Sequence, residues 1–151
     1  MNREKKGLFQ NLDFLQFAIV VYMVGFGLHV AIRGAYWVVR PLESARDSAL
    51  FETMHDYGGL TFWGLLILIG ATFQILSSII LPYYRQTNVF FVTYALGNFI
   101  CGAFYFLYSV ASVNSGLSPI SPFQNLAFAV MMFILSIAGG MHAWNTRKRQ
   151  T

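Results

Sequence analysis

Residues 60–81 read LTFWGLLILIGATFQILSSIIL, a run of 22 positions without a charged side chain. At about 1.5 Å per helical residue such a segment is roughly 33 Å long, enough to cross a hydrocarbon core of about 30 Å. Inside lipid there is no water to bond the backbone polar groups, so a single spanning segment satisfies them only as a helix. The run therefore predicts a membrane-spanning α-helix.

Three more apolar runs accompany this one, at residues 14–39, 89–110 and 122–144. Short polar stretches separate the last three runs, so consecutive spans there should be antiparallel neighbours. We therefore predict an all-α, polytopic membrane protein in which residues 1–151 form a single bundle of four transmembrane helices.

The overall composition also indicates lipid as the solvent. Hydrophobic residues make up 56% of the chain and charged residues only 11%, whereas a soluble domain carries about 25% charged residues. The formal net charge is +4, but the basic residues lie at the two ends and in the connections. Membrane orientation explains that placement better than nucleic acid, so the lipid bilayer is the partner we expect.

Counting basic residues on each side of the spans predicts the orientation. The side that holds both termini carries seven: Arg3, Lys5, Lys6, Arg85, Arg147, Lys148 and Arg149. The opposite side carries three: Arg33, Arg40 and Arg46. Because Lys and Arg are enriched in cytoplasmic segments, we expect a multi-pass protein of the cell membrane with its N- and C-termini both in the cytoplasm.

The first connection, RPLESARDSALFETMHDYGG at residues 40–59, is polar but contains apolar residues at roughly helical spacing. Those residues are Leu42, Ala45, Ala49, Leu50 and Met54. This pattern predicts a short amphipathic helix on the outer membrane surface. Gly58 and Gly59 should end it and return the chain to the bilayer.

Aromatic and basic residues at the span ends are candidate interfacial anchors, because their bodies are apolar and their tips polar. They are Arg33, Trp37, Trp63, Tyr83, Tyr84 and Trp144. A charge inside the hydrocarbon core would instead indicate a binding or transport role. Arg33 lies just past the apolar run, so we interpret it as a side chain that reaches outward to water.

Small residues recur along the spans and let helix backbones approach closely, which drives packing in lipid. The candidate packing residues are Gly27, Ala31, Ala35, Gly97, Gly102, Gly139 and Gly140. Packing within one chain is the default interpretation, and association with a second copy or another membrane protein is the alternative.

Two amides lie within neighbouring apolar runs, Gln74 in the second span and Asn98 in the third. If the chain reverses near residue 85, their depths agree to within one helical turn, so contact between them is plausible. They predict hydrogen bonding between helices, with a polar pathway or ligand site as the alternative.

Histidine and cysteine placement gives no reason to expect a cofactor or a metal. Haem held between two helices needs two histidines at matching depth, and His29, His55 and His142 do not supply such a pair on two predicted spans. The sequence contains no HExxH motif and no Cys-x-x-Cys motif. The lone cysteine, Cys101, is interpreted as a small packing residue.

The architecture resembles that of small membrane proteins encoded by bacteria and their phages, a likeness of form that assigns no residue a role. Since no catalytic motif appears, we expect a non-enzymatic protein that acts through helix packing and association, as an accessory subunit, immunity factor or scaffold. A holin-like pore or lesion former is the alternative, and a haem or redox cofactor-binding membrane protein is a weaker one.

Overall fold

A computed structural model of the chain describes residues 13–81, 88–115 and 120–148. Within these ranges the structure contains helices and no strands. The helices are α1 (Phe14–Val39), α2 (Pro41–Asp47), α3 (Ala49–Asp56), α4 (Leu60–Ile80), α5 (Val89–Asn114) and α6 (Ile120–Lys148). Four of them, α1, α4, α5 and α6, are long and apolar enough to cross a membrane. The prediction of an all-helical chain with four candidate spans is therefore confirmed.

The long helices extend beyond some of the predicted spans. Helix α1 begins and ends where the sequence predicts, and α4 ends one residue early, at Ile80. Helix α5 continues past Val110 to Asn114, and α6 runs from Ile120 to Lys148 rather than from 122 to 144. Hydropathy detects only the apolar part of a helix, while backbone hydrogen bonding continues into the polar flanks.

The long helices pack in series: α1 lies along α4, α4 along α5, and α5 along α6. Among the described residues, α1 and α6 are not a closely packed pair. Helices α1 and α5 meet through aromatic side chains, where the ring of Trp37 lies 5.8 Å from Phe104 and 6.3 Å from Tyr108. The centre of the bundle buries these rings together with Ile67 and Cys101.

The connection at residues 40–59 forms two short helices, where the sequence analysis predicts one. The break is at Ser48, whose backbone is extended, with φ −160° and ψ 151°. The Ser48 hydroxyl accepts a hydrogen bond from the backbone N–H of Phe51 at 3.2 Å, so it starts a new helix, as serine commonly does at an N-cap. Gly58 and Gly59, with φ of 145° and 82°, then turn the chain into α4. Both values favour glycine.

Candidate functional site

Helices α1 and α4 approach each other closely at Gly34 and Gly64. A Cβ atom added to Gly34 would lie 2.8 Å from the carbonyl oxygen of Gly64, and one added to Gly64 would lie 2.7 Å from the carbonyl oxygen of Gly34. Gly27 also faces α4, since a Cβ there would lie 2.8 Å from Ile75 Cγ1. These three glycines serve packing within the chain. Gly27 is among the packing residues predicted from the sequence, whereas Gly34 is not.

Glycines on the other two interfaces are also covered. A Cβ at Gly97 would lie 3.1 Å from the backbone nitrogen of Gln74, across the α4–α5 interface. One at Gly102 would lie 3.1 Å from Phe133, and one at Gly139 would lie 3.1 Å from Tyr94, both across the α5–α6 interface. Close approach of the backbones explains small residues at all three positions.

Two helical glycines have no such explanation. A Cβ added to Gly25 on α1 or to Gly140 on α6 would meet no atom of the described residues within 4 Å, and both residues are exposed. On α1, Ala31 is partly buried and Ala35 is exposed. The candidate packing residues thus divide into those covered by neighbouring helices and those that face outward.

Gln74 and Asn98 are both buried, but no hydrogen bond joins their side chains in the described part of the chain. The amide nitrogen of Asn98 donates to the carbonyl oxygen of Tyr94, one turn earlier on the same helix, at 2.8 Å. Gln74 packs instead against Gly97. Hydrogen bonds between α5 and α6 involve serine hydroxyls. Ser109 Oγ, for example, donates to the carbonyl oxygen of Pro122 at 2.7 Å.

Two of the candidate interfacial anchors lie inside the protein. Trp37 is buried beneath α3, with its ring 5.2 Å from Phe51. Trp63 is also buried, and its Nε1 donates to the carbonyl oxygen of Met54 at 3.0 Å. Both lie under the folded connection because α3 packs over the ends of the long helices.

The remaining anchors have different surroundings. Trp144 is exposed, and the ammonium of Lys148 lies 5.3 Å from the centre of its ring. Tyr83 and Tyr84 lie outside the described residues. Arg33 is partly buried and contributes to a polar cleft.

This cleft, which we call the α1–α6 cleft, has a volume of about 290 Å³. It lies at the end of the bundle where α2 and α3 are found. Its lining comes from α1, α5 and α6: Phe26, His29, Arg33, Tyr105, Tyr108, Ser121, Gln124, Asn125 and Phe128. Most of these side chains have a polar group, which is unusual for a space between membrane helices.

The charge in the α1–α6 cleft is positive. The guanidinium carbon of Arg33 lies 5.6 Å from the centre of the Tyr108 ring, a cation–π distance. No acidic residue lines the cleft, and the ion pair of the described residues joins Arg40 to Glu43 elsewhere, at 2.8 Å. The sequence analysis did not anticipate this site. The signal for it was present, because His29 and Arg33 lie four residues apart on one helical face.

The three histidines lie apart in the fold. His29 lines the α1–α6 cleft, Nδ1 of His55 accepts from the backbone N–H of Leu60 at 3.5 Å, and the His142 ring lies 5.2 Å from Phe91. Within the ranges that the structure describes, no three His, Cys, Asp or Glu residues come together as metal ligands would.

The fold and these sites define a class: helical membrane proteins with four candidate spans. Comparison of the chain with protein-family models, curated proteins and solved structures finds no match.

Proposed function

We propose that this chain is a small, non-enzymatic protein of the cell membrane that works by associating, through helix faces, with a second copy or with another membrane protein. Its role would be that of an accessory subunit, immunity factor or scaffold. Both termini lie in the cytoplasm in this proposal, and α2 and α3 lie on the outer surface. The count of basic residues supports the orientation.

The observation that carries the proposal is the outward position of Gly25 and Gly140. Glycine within a helix is less favourable than alanine by about 1 kcal/mol, and its benefit in membrane helices is close approach of a second backbone. Among the residues that the structure describes, no neighbouring helix makes that approach at either position. A helix from another molecule would supply the missing contact.

Helices α1 and α6 are also the two ends of the packed series, and they bury less of their apolar stretches than α4 and α5 do. Their outward faces carry exposed apolar side chains such as Leu28, Ile137 and Met141. This arrangement leaves room for further helices beside either end without disturbing the core.

The test places leucine at the outward glycines. We expect Gly25→Leu and Gly140→Leu each to reduce crosslinked complexes and co-purified partner at least severalfold, while the protein still inserts and keeps its helical content. Ala127→Leu is the matched control, because Ala127 is exposed and lies on a different face of α6 from Gly140. Gly27→Leu should instead damage the fold, because Gly27 contacts α4.

Two results would contradict the proposal. One is that the wild-type protein remains monomeric in membranes and no partner co-purifies with it. The other is association that survives both outward leucines. Loss of membrane potential and leakage on controlled expression would favour the holin-like alternative instead.

A further inference from the structure

We infer that the α1–α6 cleft binds the phosphate of a net-anionic amphiphile, with Arg33 as the side chain that pairs with it. The inference rests on the cleft alone and is independent of helix association.

Arg33 has the position and charge that an anion site requires. It lies six residues before the end of α1, which is about 9 Å of helix. Its guanidinium has no ion pair and no side-chain hydrogen bond with any described residue, and it lies over the face of Tyr108. This partly buried cation lacks a counter-ion among the described residues, and an anionic ligand would supply one. The planar guanidinium fork matches phosphate geometry.

Neutral donors surround this charge. The side chains of Tyr105 and Tyr108 are mostly buried and line the cleft, and among the described residues their hydroxyls have no hydrogen-bond partner. Neither hydroxyl is a buried atom without a partner, so both are open to the cleft. The Gln124 amide also lines the cleft without such a bond. Two phenols and an amide beside a cation can donate several hydrogen bonds to phosphate oxygens. Because no carboxylate lines the cleft, a cationic choline group would have no ion-pair partner there, and the Arg33 charge would repel it.

The walls of the cleft indicate an amphiphile. The rings of Phe26 and Phe128 both pack near Tyr105, with ring centres 6.2 Å and 5.5 Å from it. The cleft lies between α1 and α6, which are not closely packed against each other along their described lengths. A headgroup could therefore enter sideways from the bilayer while its chains stay in lipid.

The test is native mass spectrometry of the full chain in mild detergent, with phosphatidylglycerol or phosphatidylcholine added. We expect the wild type to bind phosphatidylglycerol at least about tenfold more tightly than phosphatidylcholine. Arg33→Gln should abolish that preference, and Gln124→Leu should weaken it severalfold. Arg46→Gln is the matched control, because Arg46 is an exposed arginine of α2 outside the cleft. Helical content and elution volume report whether each variant folds.

A second arm identifies the source of the phosphate. Added glycerol phosphate should not displace phosphatidylglycerol if the amphiphile is the ligand. Displacement at equal concentration would overturn the lipid assignment and leave a soluble phosphate site. The proposal would be overturned if the wild type bound both lipids equally. It would also be overturned if Arg33→Gln and Gln124→Leu folded and kept the full preference for phosphatidylglycerol. Neither result bears on association at Gly25 and Gly140.

Discussion

At the residue scale, glycine in this protein has two opposite environments. Gly34 and Gly64 lie so close together that a Cβ atom added to either one would be within 3 Å of the carbonyl oxygen of the other. Gly25, on the same helix as Gly34, faces open space. On α1, glycine therefore allows close helix contact at one position and lies on the outward face at another.

We expect Gly34→Ala to destabilise the protein, because the added methyl group would force α1 away from the Gly64 carbonyl. Overpacking of this kind typically costs about 1–3 kcal/mol. Unfolding in mixed detergent micelles, followed by circular dichroism, measures the change. Gly25→Ala is the control and should leave stability equal or slightly higher; equal losses in the two variants would show that Gly34 does not limit the approach of the helices.

At the scale of the element, the connection between the first two spans is more structured than an amphipathic segment requires. Ser48 divides it into α2 and α3, and α3 packs its Leu50 and Met54 into the bundle. The carbonyl of Met54 then accepts the indole hydrogen bond of Trp63. Helix α3 therefore forms part of the core as well as a surface cover.

We expect Ser48→Ala to loosen α3, because the Phe51 N–H loses its acceptor. Loss of an N-cap costs about 0.5–2 kcal/mol. Hydrogen exchange of the α3 amides reports the change and should be faster in this variant. Ser48→Asp supplies another side-chain acceptor and should preserve protection. Unchanged exchange in Ser48→Ala would mean that burial of Leu50 and Met54 alone holds the helix.

At the scale of the whole molecule, the proposed arrangement of four spans has the two termini on one side of the membrane and the folded connection on the other. The count of basic residues predicts that the terminal side is cytoplasmic. The native Cys101 is fully buried, so the wild-type chain offers a background of low thiol reactivity for mapping that orientation.

We expect a membrane-impermeant maleimide to label Asp47→Cys in intact cells, because Asp47 is exposed at the end of α2. Asn145→Cys, near the end of α6, should react only after permeabilisation. Wild type is the control and should remain unlabelled in both conditions. Labelling of position 145 in intact cells, with position 47 protected, would reverse the proposed orientation.

The apolar runs by themselves determined the four long helices, because the match between helix length and bilayer thickness depends on hydropathy and not on partners. They did not determine which side of each helix faces inward. Every face of a membrane helix is apolar, so the pattern that marks the core side of a soluble helix is weak here. Only the packing order α1–α4–α5–α6 decided that Gly27 is covered, that Gly140 is not, and that Trp37 is buried.

The same packing order created the α1–α6 cleft. The sequence alone placed Arg33 near the end of a span, where a long side chain can reach water. Tertiary structure added Tyr108 and Gln124 from two other helices and left no carboxylate in the lining. Residues distant in sequence form one site because α5 places its tyrosines between α1 and α6. The local sequence does not predict which helices become neighbours.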